Sequence, residues 1–162
     1  MWLEPTAEPN PAALSAIKRA DVIIICPGTL ACSIVPNFLV PGVAEALANS
    51  SATKVYIANL MNRRGHVPTD WSVLEYVQYL ESYLGTRFFD FVICNTQSPS
   101  PEQVAAYQEE KVAVPIITDL RASCASLIAL PLLMNNPPVP NAADAIAGLR
   151  SLVRHDPERV AG

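Results

Sequence analysis

Three apolar runs rich in β-branched and aromatic residues, DVIIIC (21–26), KVYIANL (54–60) and FDFVICN (89–95), recur along the chain with helix signals between them. Few folds accommodate that rhythm. A strand-length run such as VIII, apolar at every position, reads as a strand buried on both faces, the habit of parallel sheets covered by helices. The intervening segments carry the helix signals. Asn10 and Pro11 form a cap and first turn for PAALSAIKRA, with Leu14, Ile17 and Ala13 facing inward. VAEALANS (43–50) follows the first run. WSVLEYVQYLESYLG (71–85) places Trp71, Leu74, Val77, Leu80 and Leu84 at helical spacing, with Gly85 as a stop. Ser100 and Pro101 open another helix, PEQVAAYQEEK (101–111), and VPIITD (114–119) reads as a fourth strand. Strands and helices alternating at these lengths imply right-handed crossovers and an open, mostly parallel α/β sheet with helices on both faces. The stretch IALPLLMNNPPVPNAADAI contains four prolines, which argue against regular structure through its middle. LRSLVRHDPERVAG (149–162) reads as a short extended segment leading into a helix that soon stops.

Composition narrows the function classes. The 162 residues, 51% of them hydrophobic and 16% charged, suit one α/β unit over 1–162 with a sizeable core. The net charge of -4, with eleven scattered basic residues, lacks the basic face that phosphate neutralisation requires, so no nucleic acid is expected as partner. The four cysteines, Cys26, Cys32, Cys94 and Cys124, have no paired two-residue spacing, and the two histidines lie far apart, so no metal site is expected. They read as reduced thiols packed as small hydrophobes, consistent with a cytoplasmic protein. The apolar runs are too short to span a bilayer, and MWLEPTAEPNP, with two acids and three prolines, is not a signal peptide.

Loops after parallel strands are where open α/β sheets bind ligands. The segment at residues 26–37, CPGTLACSIVPN, offers Pro27 and Gly28 at the strand end, the hydroxyls of Thr29 and Ser33, and Ser33 as a cap for the next helix. Helix N–H groups there would attract an anion such as phosphate. An ordinary strand-to-helix turn has the same ingredients, so both readings stand. In NLMNRRGHVP, Asn59 sits at a strand end, and Arg63, Arg64 and His66 either meet phosphate or are simply solvated. CNTQSPSPEQ is a weaker third loop. Tyr107, in the helix that follows, either faces ligand or packs on the sheet. No Ser-His-Asp arrangement or G-x-x-x-x-G-K loop is present.

ADVIIICPGTLACSIVPNFLVPGVAEAL, followed by KVYIANLM with Gly65 beyond it, resembles the second half of the family of gluconeogenesis factors and 2-phospho-L-lactate transferase. The likeness continues through residues 71–84, FDFVICN and YQEE to VRHD at residues 153–156. It implies a Rossmann-like fold, half of a larger domain, with a cleft at the strand ends. It also implies a cytoplasmic protein that binds a UDP-sugar and is linked to cell shape and wall synthesis during gluconeogenic growth. The ligand-binding set so implied is Pro27, Gly28, Thr29, Leu30, Ser33, Asn37, Asn59, Tyr107 and Arg154, the last two by their match to the family's UDP-sugar tyrosine and arginine. No catalytic residue is implied, and the expectation leans to a binding factor. The alternative is a transferase that moves a phospholactyl group to a deazaflavin precursor with Mg2+. A third reading is a degenerate half-domain acting as an interaction module. The family's glycine-rich amino-terminal turn has no counterpart in the sequence, so the chain is expected to be a fragment of a longer protein whose amino-terminal half is missing, a homodimer burying the open sheet edge being the other solution. Cys26, Ala31, Cys32, Arg63, Arg64, His66 and Pro157 depart from the family pattern.

Overall fold

The computed structural model describes residues 1–105, 125–135 and 153–161. Its centre is one parallel sheet of four strands, β1 (Val22–Ile25), β2 (Thr53–Ile57), β3 (Phe91–Asn95) and β4 (Ser126–Leu130), lying side by side in chain order. The register sets Ile23 beside Lys54, Tyr56 beside Val92 and Cys94 beside Ala129. Around it run α1 (Pro11–Arg19), a π-helical turn (Leu30–Ile34), α2 (Val35–Phe38), α3 (Val43–Asn49), α4 (Val73–Leu84), α5 (Pro101–Ala105) and α6 (Pro157–Ala161). The Rossmann-like parallel architecture expected from the sequence is therefore present.

Local chemistry explains the elements. Asn10 Oδ1 accepts the Ala12 N–H at 2.9 Å, Pro11 takes the first turn, and Lys18 and Arg19 close α1. Leu14 and Ile17 are half-buried there, but Ala13 is exposed. Helix α4 begins with a capping box, Ser72 and Glu75 each bonding the other's backbone. Trp71 stands just outside that cap, its ring 5.6 Å from Tyr76 and edge-on to it, a hydrophobic staple rather than the first helical residue. The buried stripe is Val73, Tyr76, Val77, Leu80 and Leu84, while Leu74 is only half-buried. Gly85, at φ +100°, ends the helix.

Strand order that follows chain order has a steric consequence. Right-handed crossovers between successive strands all fall on the same face of such a sheet. Accordingly Ile23, Tyr56, Val92 and Cys94 share one core with Val35 and Phe38 of α2, Leu47 of α3, and Val77 and Leu80 of α4. On the opposite face Val22 and Ile24 are 53% and 52% exposed, and Phe91, Ile128 and Leu130 are exposed too. The VIII run is thus covered on one side only among the described residues.

The fourth strand is SLIAL, ended by Pro131, in a stretch for which the sequence carried no strand expectation. The VPIITD segment lies outside the described residues. Of the extended segment and short helix read from residues 149–162, residues 153–161 are described: Leu133 and His155 form an antiparallel bridge, and α6 follows with five residues.

Candidate ligand site at the carboxyl ends of the strands

The loop leaving β1 is fixed from the neighbouring strand. Asn59, at the end of β2, accepts the Gly28 N–H at 3.2 Å and donates its amide to the Gly28 carbonyl at 2.9 Å. The Tyr56 hydroxyl lies 3.5 Å from the same amide oxygen, and complete burial pushes that phenol well above its ordinary value. Both ends of the Asn59 side chain are therefore committed to shaping the loop. Gly28 lies flush on the turn that follows: a Cβ there would stand 3.2 Å from Ser33 Cβ and 3.3 Å from Ile34 Cγ1. The close approach that demands glycine is thus to the protein's own turn.

That turn is wide for a reason. Pro36 has no N–H, and its ring would strike the carbonyl four residues back in a regular helix. The chain opens instead into a π turn in which the Val35 N–H reaches the Leu30 carbonyl. Asn37 donates to the carbonyls of Ser33 at 2.8 Å and Ile34 at 3.2 Å, stabilising the junction. Ser33 sits inside the turn, so it does not cap α2, whose cap position is Ile34. The Thr29 carbonyl accepts the N–H groups of Cys32 and Ser33, while the hydroxyls of Thr29 and Ser33 bond no described residue. Leu30 is buried in the core at 3% exposure, so it meets the loop's outer surface through its backbone alone. Cys26 and Cys32 are exposed, contrary to their reading as packed hydrophobes. Cys94 is buried as read, its thiol pushed up by burial, and Cys124 lies outside the described residues.

The loop after β2 is built on Asn62, which is fully buried. Its amide donates to the carbonyls of Thr69 at 3.0 Å and Trp71 at 2.8 Å and accepts the Tyr76 hydroxyl at 2.8 Å. Arg63, Arg64 and His66 are exposed on the turn around Gly65, which takes φ +80°.

The ends of β3 and β4 are tied to the carboxy-terminal segment. Asn95 Oδ1 accepts the N–H groups of Gln97 and Leu132, and Gln97 Oε1 accepts the Leu133 N–H at 3.1 Å. Arg159 of α6 donates to Gln97 Oε1 and to the carbonyls of Pro131 and Leu133. Residues 153–156 run against residues 132–134, with Met134 N–H on the Arg154 carbonyl at 2.9 Å and Asp156 N–H on the Leu132 carbonyl at 2.8 Å. Val153 packs with Leu60, Leu133 and Met61. His155 reaches the backbone of Ala58, the residue before Asn59.

The sheet's carboxyl edge thus gathers the Gly28 loop, Asn59 and the segment bearing Arg154, which is half-buried. Tyr107 lies outside the described residues. Asn62, Asn95, Gln97, His155 and Arg159 were not singled out from sequence, although Asn59 and Asn95 end successive strands alike, a signal the sequence does carry. A hollow of about 620 Å³ at the opposite ends of the strands is lined by Thr53, Lys54, Arg87, Asp90 and Ser126. It is shallow, with Lys54 Nζ on the Ser50 carbonyl and Asp90 on the Lys54 N–H, and the strand-end rule favours the other edge.

Among the described residues no group of three or more His, Cys, Asp or Glu side chains comes together. No single described helix is long and apolar enough to cross a membrane.

Comparison with known proteins places this arrangement. Residues 1–132 match the family model described as 2-phospho-L-lactate transferase CofD. The chain is 45% identical over 100 residues to a putative gluconeogenesis factor of Thermotoga maritima, covering 62% of this chain and 31% of that one. It is 39% identical over 113 residues to the gluconeogenesis factor of Halalkalibacterium halodurans, covering 69% and 34% respectively. The Bacillus subtilis gluconeogenesis factor is 34% identical over 113 residues, with 70% of this chain and 35% of that one covered. A crystal structure of a Bacillus halodurans protein superposes with a TM-score of 0.83 at 29% identity, spanning 99% of this chain but 48% of that one. The chain therefore covers well under two thirds of the relatives it matches. On the family match and the shared parallel sheet, the chain belongs to the 2-phospho-L-lactate transferase CofD family.

Proposed function

We propose that this chain supplies one wall of a UDP-sugar site and acts as a binding factor, in the manner of the gluconeogenesis factors, rather than as an enzyme. The observation that carries this reading is the Asn59 clamp on Gly28. It pre-forms a loop at the ligand-binding edge of the sheet while leaving the hydroxyls of Thr29 and Ser33 without a bond to any described residue. A preorganised loop with spare polar groups is suited to a polar ligand, because little ordering cost remains at binding. Arg154, on the segment seated at the same edge, suits a diphosphate, being always charged and presenting several donors. Tyr107 completes the set by family likeness. With this reading go the family's link to cell shape and wall synthesis and a cytoplasmic setting.

The domain reading has its own support. Among the described residues, Val22, Ile24, Phe91, Ile128 and Leu130 are exposed along one face of the sheet, and an exposed apolar face of this kind marks a surface that meets further protein. Relatives twice this span carry further chain that could cover it. We therefore read the chain as the carboxy-terminal half of the family's α/β domain.

UDP-N-acetylglucosamine at saturation is expected to raise the thermal midpoint of the full-length protein, and Arg154→Ala to abolish the rise. No rise at saturation sinks the reading. The family description favours a second reading, phospholactyl transfer to a deazaflavin acceptor. Product formed by this chain with such an acceptor and magnesium would put that reading first.

A further inference from the structure

Residues 153–156 alternate as extended backbone does. Val153 is buried against Leu60 and Leu133. His155, two residues on, turns to the same side, where its Nε2 is buried without a hydrogen-bond partner and its ring meets the backbone of Ala58. Arg154, His155 and Asp156 are each half-buried as residues, His155 Nε2 being shielded within that. Ala58 leads directly into Asn59, whose amide grips Gly28. His155 is therefore a contact that joins the Arg154 segment to the strand end that fixes the Gly28 loop.

We propose that His155 is a positioning residue for Arg154: as a neutral imidazole it seats residues 153–156 on the end of β2, and on protonation it unseats them. An imidazolium needs water or a counter-charge, and the burial of Nε2 denies that nitrogen the first. The second is absent among the described neighbours. The end of β2 presents Ala58, Asn59 and Leu60, and the adjoining segment presents Pro131, Leu132, Leu133, Met134 and Asn135, none of them charged. The segment itself and α6 bring Arg154, Asp156, Glu158 and Arg159, of which Asp156 is paired with Arg159 at 3.5 Å. Burial accordingly pushes His155 below the ordinary histidine value, with the Ala58 backbone opposing in part. The other histidine, His66, is exposed on its loop and serves as an internal control.

Only the ligand-dependent arm of the test rests on the UDP-sugar reading. Hydrogen exchange at the Met134 and Asp156 amides reports the seat directly, because both donate across the antiparallel pair. From about pH 7.5 to about pH 5.5, protection corrected for intrinsic rate is expected to fall by up to about tenfold per pH unit. The fall should persist in His66→Gln and vanish in His155→Gln. Protection that stays level in the native chain, or a fall that survives His155→Gln, overturns the proposal. Should His155→Gln not fold, the native and His66→Gln profiles decide. The thermal rise with UDP-N-acetylglucosamine should shrink in step with protection. A rise that stays constant while protection falls would refute the role toward Arg154. No rise at any pH with the protection step intact would sink the UDP-sugar reading and leave His155 as the seat.

Discussion

Replacing Asn62 with alanine should be among the most damaging single changes outside the apolar core. The side chain is fully buried and makes three hydrogen bonds, to the carbonyls of Thr69 and Trp71 and from the Tyr76 hydroxyl. Each such bond contributes about 1 kcal/mol net, and a buried partner left unpaired costs about 1–3 kcal/mol more. Tyr76 is 2% exposed, and burial has pushed its phenol up to about 12, so its hydroxyl has little water to turn to. The loss for Asn62→Ala is therefore about 3–5 kcal/mol. Tyr76→Phe alone should cost about 1–2 kcal/mol, since Asn62 keeps two of its partners. Urea unfolding of the two single variants and the double variant gives the coupling, expected at about 1–2 kcal/mol. Trp71 makes a convenient probe, because its ring lies against Tyr76 and its carbonyl against Asn62. A loss below about 1 kcal/mol for Asn62→Ala, or strict additivity, would refute this account of the loop.

Two further outcomes follow from local geometry. Ser72→Ala should remove the side-chain arm of the α4 capping box, leaving the Ser72 N–H on the Glu75 carboxylate, and cost about 1 kcal/mol in urea unfolding. The Ser72 hydroxyl and N–H hold the Glu75 carboxyl below its usual range, so this support is present above the unfolded carboxylate value and lost as pH falls through the folded one. Ser72→Ala should flatten that acid limb, and an unchanged limb would contradict the assignment. Gly28→Ala places a Cβ against Ser33 and Ile34 and should lower stability by about 1–3 kcal/mol, read from the thermal midpoint. An unchanged midpoint would show that the turn yields freely.

Much of the scaffold was legible because its signals are local. The β-branched runs at VIII, KVYI and FVIC became strands, and the Asn10 and Gly85 boundaries held because each satisfies or releases backbone groups at a helix end. The Trp71 assignment failed for a comparable reason: the Ser72–Glu75 box outranks hydrophobic spacing in setting where α4 begins. SLIAL carried no strand expectation because a proline-rich tail follows it, and Pro131 in fact only ends the strand. At the candidate site, Gly28 and Asn59 were named from sequence as ligand contacts, and the structure brings them together as partners of one another. Such mutual commitments are long-range and leave no periodic trace. The same holds for the Gln97–Arg159 and Asn62–Tyr76 pairs, residues separated in the chain and joined by the ends of the strands.

A strand order that repeats chain order also settles when each partner becomes available during synthesis. β2 emerges with β1 already made, β3 with β2, and β4 with β3, so no described strand waits for a later one to supply its inner neighbour. Each addition closes over a single crossover, which keeps loop closure short for a parallel sheet. Growth in this sense is vectorial. No described strand pairs with the outer edge of β1, the earliest made of the four described strands. A chain segment or partner that adds there has the whole synthesis of β2, β3 and β4 in which to do so.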